Sequence, residues 1–283
     1  MKWYKLIFEQ VQPIHVGKLN WGVVSETEIF IPGQTMWGAV VNAYLCKNKH
    51  SEIKTVQENF ETITNFFPSF DEENILEPAY KDGEFAYKTK KSLITEEKFR
   101  IYFVSADFKT SINPFTVTAK EEQLYEIEYI LPKPKREFLE DAKQLGFKEN
   151  LYWIGLIKLK EDDIKEVFER GNFEIFVGGD ARYGYGLMKL KKYKEAEEKE
   201  LQKWNLNDDG KFNHDSKTPL KNFLEFSSGI KFKGDIKLIP EMDFSQNTSS
   251  VKNAKFYIAI GSMLENNPPH DLILKKGKFI LES

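Results

Sequence analysis

LYWIGLIKLKEDDIKEVFERGNFEIFVGGDARYGYGLMKLKK, residues 151–192, is the stretch that decides the fold. Leu151–Leu159 is apolar and rich in β-branched and aromatic residues, which suits a buried strand. Residues 161–170 carry helix formers at helical spacing and end at Gly171, a natural helix stop. Asn172–Val177 reads as a second strand. Four glycines then fall within nine residues, and Tyr185–Lys192 reads as a third strand.

Working outward, Lys2–Glu9 alternates around Trp3, Tyr4, Ile7 and Phe8 and reads as a first strand. Gln10–Gly33 is a long connection. Gln34–Lys47 is an expected helix, with Met36, Val40, Tyr44 and Cys46 near one face and Thr35 as N-cap. A second helix is expected over Thr55–Phe66, followed by loop through residue 97. Strands are expected over Phe99–Asp107 and Gln123–Leu131, with a hairpin or insertion over Phe108–Glu122 between them. A short helix follows over Arg136–Leu145. The order through Lys192 is strand, helix, strands, helix, strand. The expected fold class is therefore α+β: a ferredoxin-like, RRM-like βαββαβ domain with insertions over residues 1–193. Two helices would cover one face of its sheet and leave the other free, and in RRM modules that face meets RNA. Beyond it, a charged helix or linker (Lys194–Lys203) leads to strands over 226–232, 235–239, 255–260, 272–274 and 278–281. These form a smaller β-rich C-terminal subdomain, residues 194–283.

The chain has 283 residues, 41 Lys+Arg and 44 Asp+Glu, for a net charge of −3, which argues against a generically basic nucleic-acid binder. The balance is uneven. His50–Glu84 carries a net −7, Lys88–Lys120 a net +4 and Arg182–Lys194 a net +5. Only Arg100, Arg136, Arg170 and Arg182 among the basic residues are arginine, so an Arg marks a place where a planar fork has a use. No stretch approaches the roughly 18 to 20 apolar residues that span a bilayer, and the N-terminus lacks a signal-peptide apolar region. A single cysteine, Cys46, excludes a disulfide framework and a Cys-based zinc site. It is read as core, and a cytoplasmic location fits.

Three stretches can carry chemistry. The first is the turn Gly178-Gly179-Asp180-Ala181-Arg182-Tyr183-Gly184-Tyr185-Gly186. Successive backbone N–H groups there can form an anion nest, Arg182 can fork onto phosphate, and Tyr183 or Tyr185 can stack on a base. A plain tight turn is the competing reading. Lys189, Lys191, Lys192 and Lys194 follow on the next strand. The second stretch joins His15 and Lys18 to Pro32-Gly33-Gln34-Thr35, where a helix N-terminus offers free N–H groups to phosphate. Three roles are open to His15: general base, RNA contact, or buried hydrogen-bonded residue. The third is Phe108–Lys120, with Lys109, Thr110 and Asn113 among exposed apolar residues. The histidines have no metal-ligand spacing, and no hydrolase motif is present. Catalytic residues, metal and cofactor are all expected to be absent.

In their order these stretches resemble the RAMP superfamily of CRISPR-associated proteins. The resemblance rests on I-H-V-G at 14–17, W-G-V-V-S-E-T-E at 21–28, I-P-G-Q-T-M-W-G-A-V-V-N-A-Y at 31–44, K-T-S-I-N-P-F-T-V-T-A at 109–119, and G-G-D-A-R-Y-G-Y-G at 178–186. Within the superfamily the chain is most similar to the cap subunit of type III effector complexes, which holds the crRNA 5′ handle. The resemblance implies a non-catalytic role and contacts with crRNA, target RNA, a large polymerase-like subunit and a repeating RAMP backbone subunit. It implies RNA contacts at His15, Lys18, Gly33, Gln34, Thr35, Lys109, Thr110, Asn113, Gly178, Gly179, Arg182, Tyr183, Gly184, Tyr185, Gly186, Lys189 and Lys191. The backbone subunits of such complexes cut target RNA with an aspartate before the Pro-Gly turn, and Gly17–Pro32 contains none here. A superfamily branch that processes precursor crRNA with a His is the second reading, with His15 as base, and a purely structural interaction protein is the third.

Overall fold

The computed structural model describes residues 1–48, 52–112, 115–159, 168, 172–243 and 250–281. Its elements are β1 (Lys2–Gln10), β2 (Gly17–Trp21), β3 (Val24–Thr27), α1 (Gly33–Lys47), α2 (Ile53–Asn59), β4 (Phe67–Ser69), β5 (Glu77–Lys81), β6 (Glu84–Lys88), β7 (Leu93–Thr95) and α3 (Glu96–Phe103). There follow β8 (Val104–Ile112), β9 (Ala119–Ile130), α4 (Leu139–Gln144), β10 (Tyr152–Leu159), β11 (Glu174–Phe176), β12 (Leu187–Glu195) and α5 (Glu198–Gln202). The C-terminal strands are β13 (Phe223–Glu225), β14 (Phe232–Lys233), β15 (Ile236–Asp243), β16 (Ser250–Ile258), β17 (Met263–Leu264), β18 (Leu272–Lys275) and β19 (Lys278–Leu281).

The fold is α+β, and its main sheet has the order β11-β12-β1-β10-β4, antiparallel throughout. Setting aside the hairpin strand β11, this is the 4-1-3-2 strand order of a ferredoxin-like domain. The helix expected over residues 161–170 lies outside the described residues except for Phe168, which is helical and buried. A second sheet, β2-β3-β9-β8, stands beside the first and carries a long two-stranded arm. The C-terminal sheet runs β15-β16-β13-β19-β18. Phe223, Leu224 and Phe279 from it share one hydrophobic core with Phe30, Phe67 and Trp204.

Several local expectations are corrected. Residues 99–103 are helical, not extended. Thr95 Oγ1 accepts a hydrogen bond from Lys98 N at 3.2 Å, and Arg100 pairs with Glu96 one turn back at 2.9 Å. The buried set Phe99, Tyr102 and Phe103 is then a helical face, and the strand starts at Val104. The connection over residues 10–33 holds the hairpin β2–β3, turned at Gly22 with φ +61°. The expected loop over 67–97 holds β4 and the three strands β5-β6-β7. Asp82 (φ 53°) and Gly83 (φ 87°) form the two-residue turn of its first hairpin, the Asp-Gly signal of such turns. The helix expected over 55–66 is shorter and earlier. The strand expected over 226–232 is broken at Gly229, whose φ is +96°. Pro32, not Thr35, precedes the first turn of α1, and Cys46 is exposed.

The sheet face expected to be free is sealed by the chain's own acidic segment. Ile7, Tyr152 and Ile154 form a small buried cluster there, and Ile75 packs on it. Lys5 donates to Glu73 O at 2.7 Å, and Lys192 pairs with Glu72. Lys5 also pairs with Glu200 of α5 at 2.9 Å. Burial, aided by Glu72 and Glu9, pushes the Tyr152 phenol up to about 12. The acidic segment therefore covers this face around Ile7, Tyr152 and Ile154.

Candidate functional site

The glycine turn between β11 and β12 lies against His15 and the root of the β8–β9 arm. Gly179 N donates to His15 O at 3.0 Å. Gly178, with φ +82°, approaches the same carbonyl so closely that a Cβ there would overlap His15 O. Gly186, at φ +93°, donates to Pro13 O at 2.7 Å, and a Cβ on it would stand 2.6 Å from Val177 O. These glycines are needed so that two backbones can touch. Asp180 and Gly184 are both left-handed and bound a single 3-10 turn that carries Arg182 and Tyr183 outward.

Side chains then lock the turn to the arm. Tyr129 and Tyr185 both donate to Asp107, at 2.9 and 2.7 Å. Their rings meet edge-on, 5.3 Å apart. Burial, and then the hydrogen bond to Asp107, raises the Tyr185 phenol far above its ordinary value. Lys109 pairs with Asp180 at 3.2 Å, and its ammonium lies 4.9 and 4.3 Å from the Tyr183 and Tyr185 ring centres. Cation–π attraction and one ion pair thus hold a lysine that a phosphate could recruit.

His15 is 7% exposed. Its Nδ1 lies 2.7 Å from Glu128 O. A carbonyl can only accept, so Nδ1 carries the proton and Nε2 is the basic nitrogen. Nε2 lies 3.5 Å from Ser25 Oγ, which itself donates to Asn20 at 2.9 Å. Asn20, Ser25, Tyr125 and Gly179 join His15 in an open cleft of about 420 Å³.

Beside this cleft Trp21, 64% exposed, Val23 and Tyr183, 70% exposed, stand in solvent, while Phe108, 71% exposed, and Leu124 stand in solvent on the other face of the arm and Ile112 is exposed at its far end. On the arm, Asp107 and Lys109 turn toward the glycine turn, whereas Phe108, Thr110 and Ile112 occupy the alternate positions. Arg182 is exposed and has no ion-pair partner among the described residues.

The structure brings together His15, Lys109, Gly178, Gly179, Arg182, Tyr183, Gly184, Tyr185 and Gly186. Tyr185 is 6% exposed with its hydroxyl on Asp107, so it braces the turn and does not stack on a base. Gly33 is a correction. Its N–H donates to Asn65 Oδ1 at 2.8 Å, and a Cβ on it would lie 2.5 Å from Gly277 N. The start of α1 is therefore closed by the β18–β19 turn, with Gln34 and Thr35 half-buried beside it. Lys18 faces away, paired with Glu96 at 3.1 Å. Lys189 and Lys191 are exposed on β12 and paired with Glu174 and Glu9 at 3.0 and 3.3 Å. Thr110 is exposed, and Asn113 lies outside the described residues. Asp107 and Asn20 were not singled out from sequence, and Ser25 and Tyr125 lay in or beside the quoted stretches without an assigned role. The alternation of Asp107 and Lys109 around Phe108 was the available signal for the first of them.

Among the described residues no helix is long and apolar enough to cross a membrane, and no cluster of three or more His, Cys, Asp or Glu side chains is suited to a metal ion.

The sequence matches the RAMP superfamily over residues 11–189. No protein of curated function matches it. Among solved structures the fold is similar to a chain of the type III-B Cmr-beta complex bound to cognate target RNA. The TM-score is 0.56 at 12% identity, covering 92% of this chain and 86% of that one. A chain of the same complex bound to cognate target RNA and AMPPnP gives a TM-score of 0.52 at 15% identity, covering 92% and 85%. At such identities the likeness is one of fold.

Proposed function

The chain belongs to the RAMP superfamily, and from that premise we propose that it is a non-catalytic RNA-binding subunit of a type III CRISPR effector complex, holding the crRNA 5′ handle at the edge formed by the glycine turn and the β8–β9 arm. The observation that carries this reading is the turn itself. Its backbone is fixed on His15 and its Tyr185 side chain on Asp107, and it presents Arg182 and Tyr183 to solvent, one able to fork onto phosphate and the other to stack on a base.

The parts divide the work. Gly179 and its neighbours give a rigid backbone ledge. Lys109 exchanges Asp180 for a phosphate, and the exposed pairs of ions on β12 open at little cost, since a surface ion pair contributes about 1 kcal/mol or less. Phe108, Ile112 and Leu124 on the arm push against bases of a guide–target duplex. Recognition is of backbone and splayed bases, so affinity falls as salt rises. The acidic segment and C-terminal strands face protein neighbours, namely the large polymerase-like subunit and the first backbone subunit, and the assembly is cytoplasmic. The division into residues 1–193 and 194–283 belongs to the same reading.

Copurification tests it. The chain expressed with its neighbouring complex genes should bring down a uniform small RNA, and Arg182→Ala together with neutralised Lys189 and Lys191 should lower its yield. Unchanged RNA content would remove the RNA role from this edge. The second reading, a metal-independent ribonuclease, is favoured by one observation: the proton on Nδ1 leaves His15 Nε2 basic beside the cleft. Sequence-specific cutting of precursor crRNA by the wild type and none by His15→Ala would establish it.

A further inference from the structure

The C-terminal sheet carries a second pocket, of about 220 Å³, on the face shared by β13, β15, β16 and β19. Lys255, Lys275, Lys276 and Lys278 stand around it against Glu225 and Glu241. Two of the lysines are satisfied: Lys255 pairs with Glu225 Oε1 at 2.6 Å and Lys275 with Glu61 at 3.0 Å. Lys276 and Lys278 have no carboxylate partner among the described residues. Their ammonium groups lie over aromatic rings, 3.6 Å from the centre of Trp37 and 5.8 Å from that of Tyr257. Burial holds both below the ordinary lysine value. Glu61 and Glu241 act on them from a distance, and neither lysine is in a direct ion pair among the described residues, which leaves room for an anion.

The acid in the pocket has the opposite need. Glu225 Oε2 is buried and has no hydrogen-bond partner. A buried carboxylate oxygen left unpaired costs free energy until an N–H or O–H reaches it. The remaining wall is apolar, from Ile239 and Ile280. A ligand that meets all three needs has an anion, a hydrogen-bond donor nearby, and a flat apolar body.

We propose that this pocket holds one nucleotide of single-stranded RNA, its phosphate on Lys276 and Lys278 and a base N–H on Glu225. Carboxylates accept from base amino groups in the way this oxygen requires. Free phosphate supplies no apolar body for the wall of Ile239 and Ile280. An acidic peptide supplies the anion but no flat base edge beside it to lie on Ile239 and Ile280. The inference rests on the reading of the chain as an RNA-binding subunit and extends it to a strand surface remote in sequence from the glycine turn. Lys276 and Gly277 take φ of 50° and 78°, and Gly277 packs on Gly33, so the turn that aims Lys276 is anchored to α1.

The test is ultraviolet crosslinking of the full chain to a short mixed-sequence single-stranded RNA, with the linked peptides mapped by mass spectrometry. Links are expected in two regions, around Tyr183 and on the strand carrying Tyr257. Lys276→Ala with Lys278→Ala should lower the second set about tenfold and leave the first unchanged, as loss of two charged contacts to phosphate predicts. Lys278→Arg should retain them, and Lys278→Gln serves if the paired variant is less stable to heat. Links at Tyr183 with none near Tyr257, or Tyr257 links indifferent to the lysines, would overturn the pocket and leave the glycine-turn reading standing. Lysine-dependent binding of a Glu-rich peptide in place of RNA would also overturn it. Links in neither region would bring down both.

Discussion

The Tyr185 hydroxyl donates to Asp107 Oδ2 at 2.7 Å, across 78 residues of sequence. With the Lys109–Asp180 pair that bond ties the glycine turn to the arm, and Tyr129 on β9 donates to the other Asp107 oxygen. Asp107→Ala strands two phenols, and a stability loss of about 1–3 kcal/mol is expected. Tyr185→Phe removes a single bond and should cost about 1 kcal/mol. Chemical denaturation of the two variants checks the order, and equal losses would mean that Asp107 does not serve both rings.

Arg182 is exposed and has no ion-pair partner among the described residues, so its replacement is a ligand effect. Arg182→Ala should leave the melting temperature unchanged and weaken RNA binding by the assembled complex. The slope of log affinity against log salt should become shallower by about one unit if Arg182 meets one phosphate. A lower affinity with an unchanged slope would assign Arg182 to something other than a phosphate.

Two glycines of the same turn separate close approach from backbone freedom. Both have positive φ, +82° at Gly178 and +85° at Gly184, but only Gly178 is pressed on His15 O, and a Cβ on Gly184 meets nothing within 4 Å. Gly184→Ala should cost about 1–2 kcal/mol from backbone strain alone. Gly178→Ala should cost more and displace His15, visible as a shifted imidazole resonance. In α1 the signs diverge. Gly38→Ala fills open space and should stabilise by about 1 kcal/mol, whereas Gly33→Ala collides with the Gly277 backbone and should destabilise.

Glu96 gives the pH dependence. Burial raises its carboxyl, but Lys18 and Arg100 outweigh burial and hold it below its ordinary value of 4.5. A depressed carboxyl adds stability that is whole above the unfolded value and is lost as pH falls toward the folded one. Stability should therefore decline as pH drops below about 4.5. Glu96→Gln should flatten that decline, as read by melting temperature across an acid series.

The central strands were legible because alternation and apolar runs in Lys2–Glu9 and Leu151–Leu159 allow one reading. The glycine turn was legible as a turn, and its partners were not, since Asp107 and His15 reach it from distant sequence. Phe99, Ile101 and Phe103 alternate like a strand. The cap at Thr95 and the Glu96–Arg100 pair outweigh that pattern and make a helix. The sealing of the sheet face had no local signal at all. An acidic stretch looks the same whether it is solvated or laid over lysines, and only the pairing of Glu72 with Lys192 distinguishes the two.

The contact of Gly277 with Gly33 also sets an order of events during synthesis. Asn65 hydrogen-bonds both, reaching Gly277 O at 3.2 Å across 212 residues. While the ribosome is still making the C-terminal strands, the first turn of α1 has no lid and its apolar neighbours stay wet. Contacts of such sequence separation close slowly, because the intervening loop must be immobilised before they form. The nascent chain therefore passes through a stage with most of its main sheet available and this seam open.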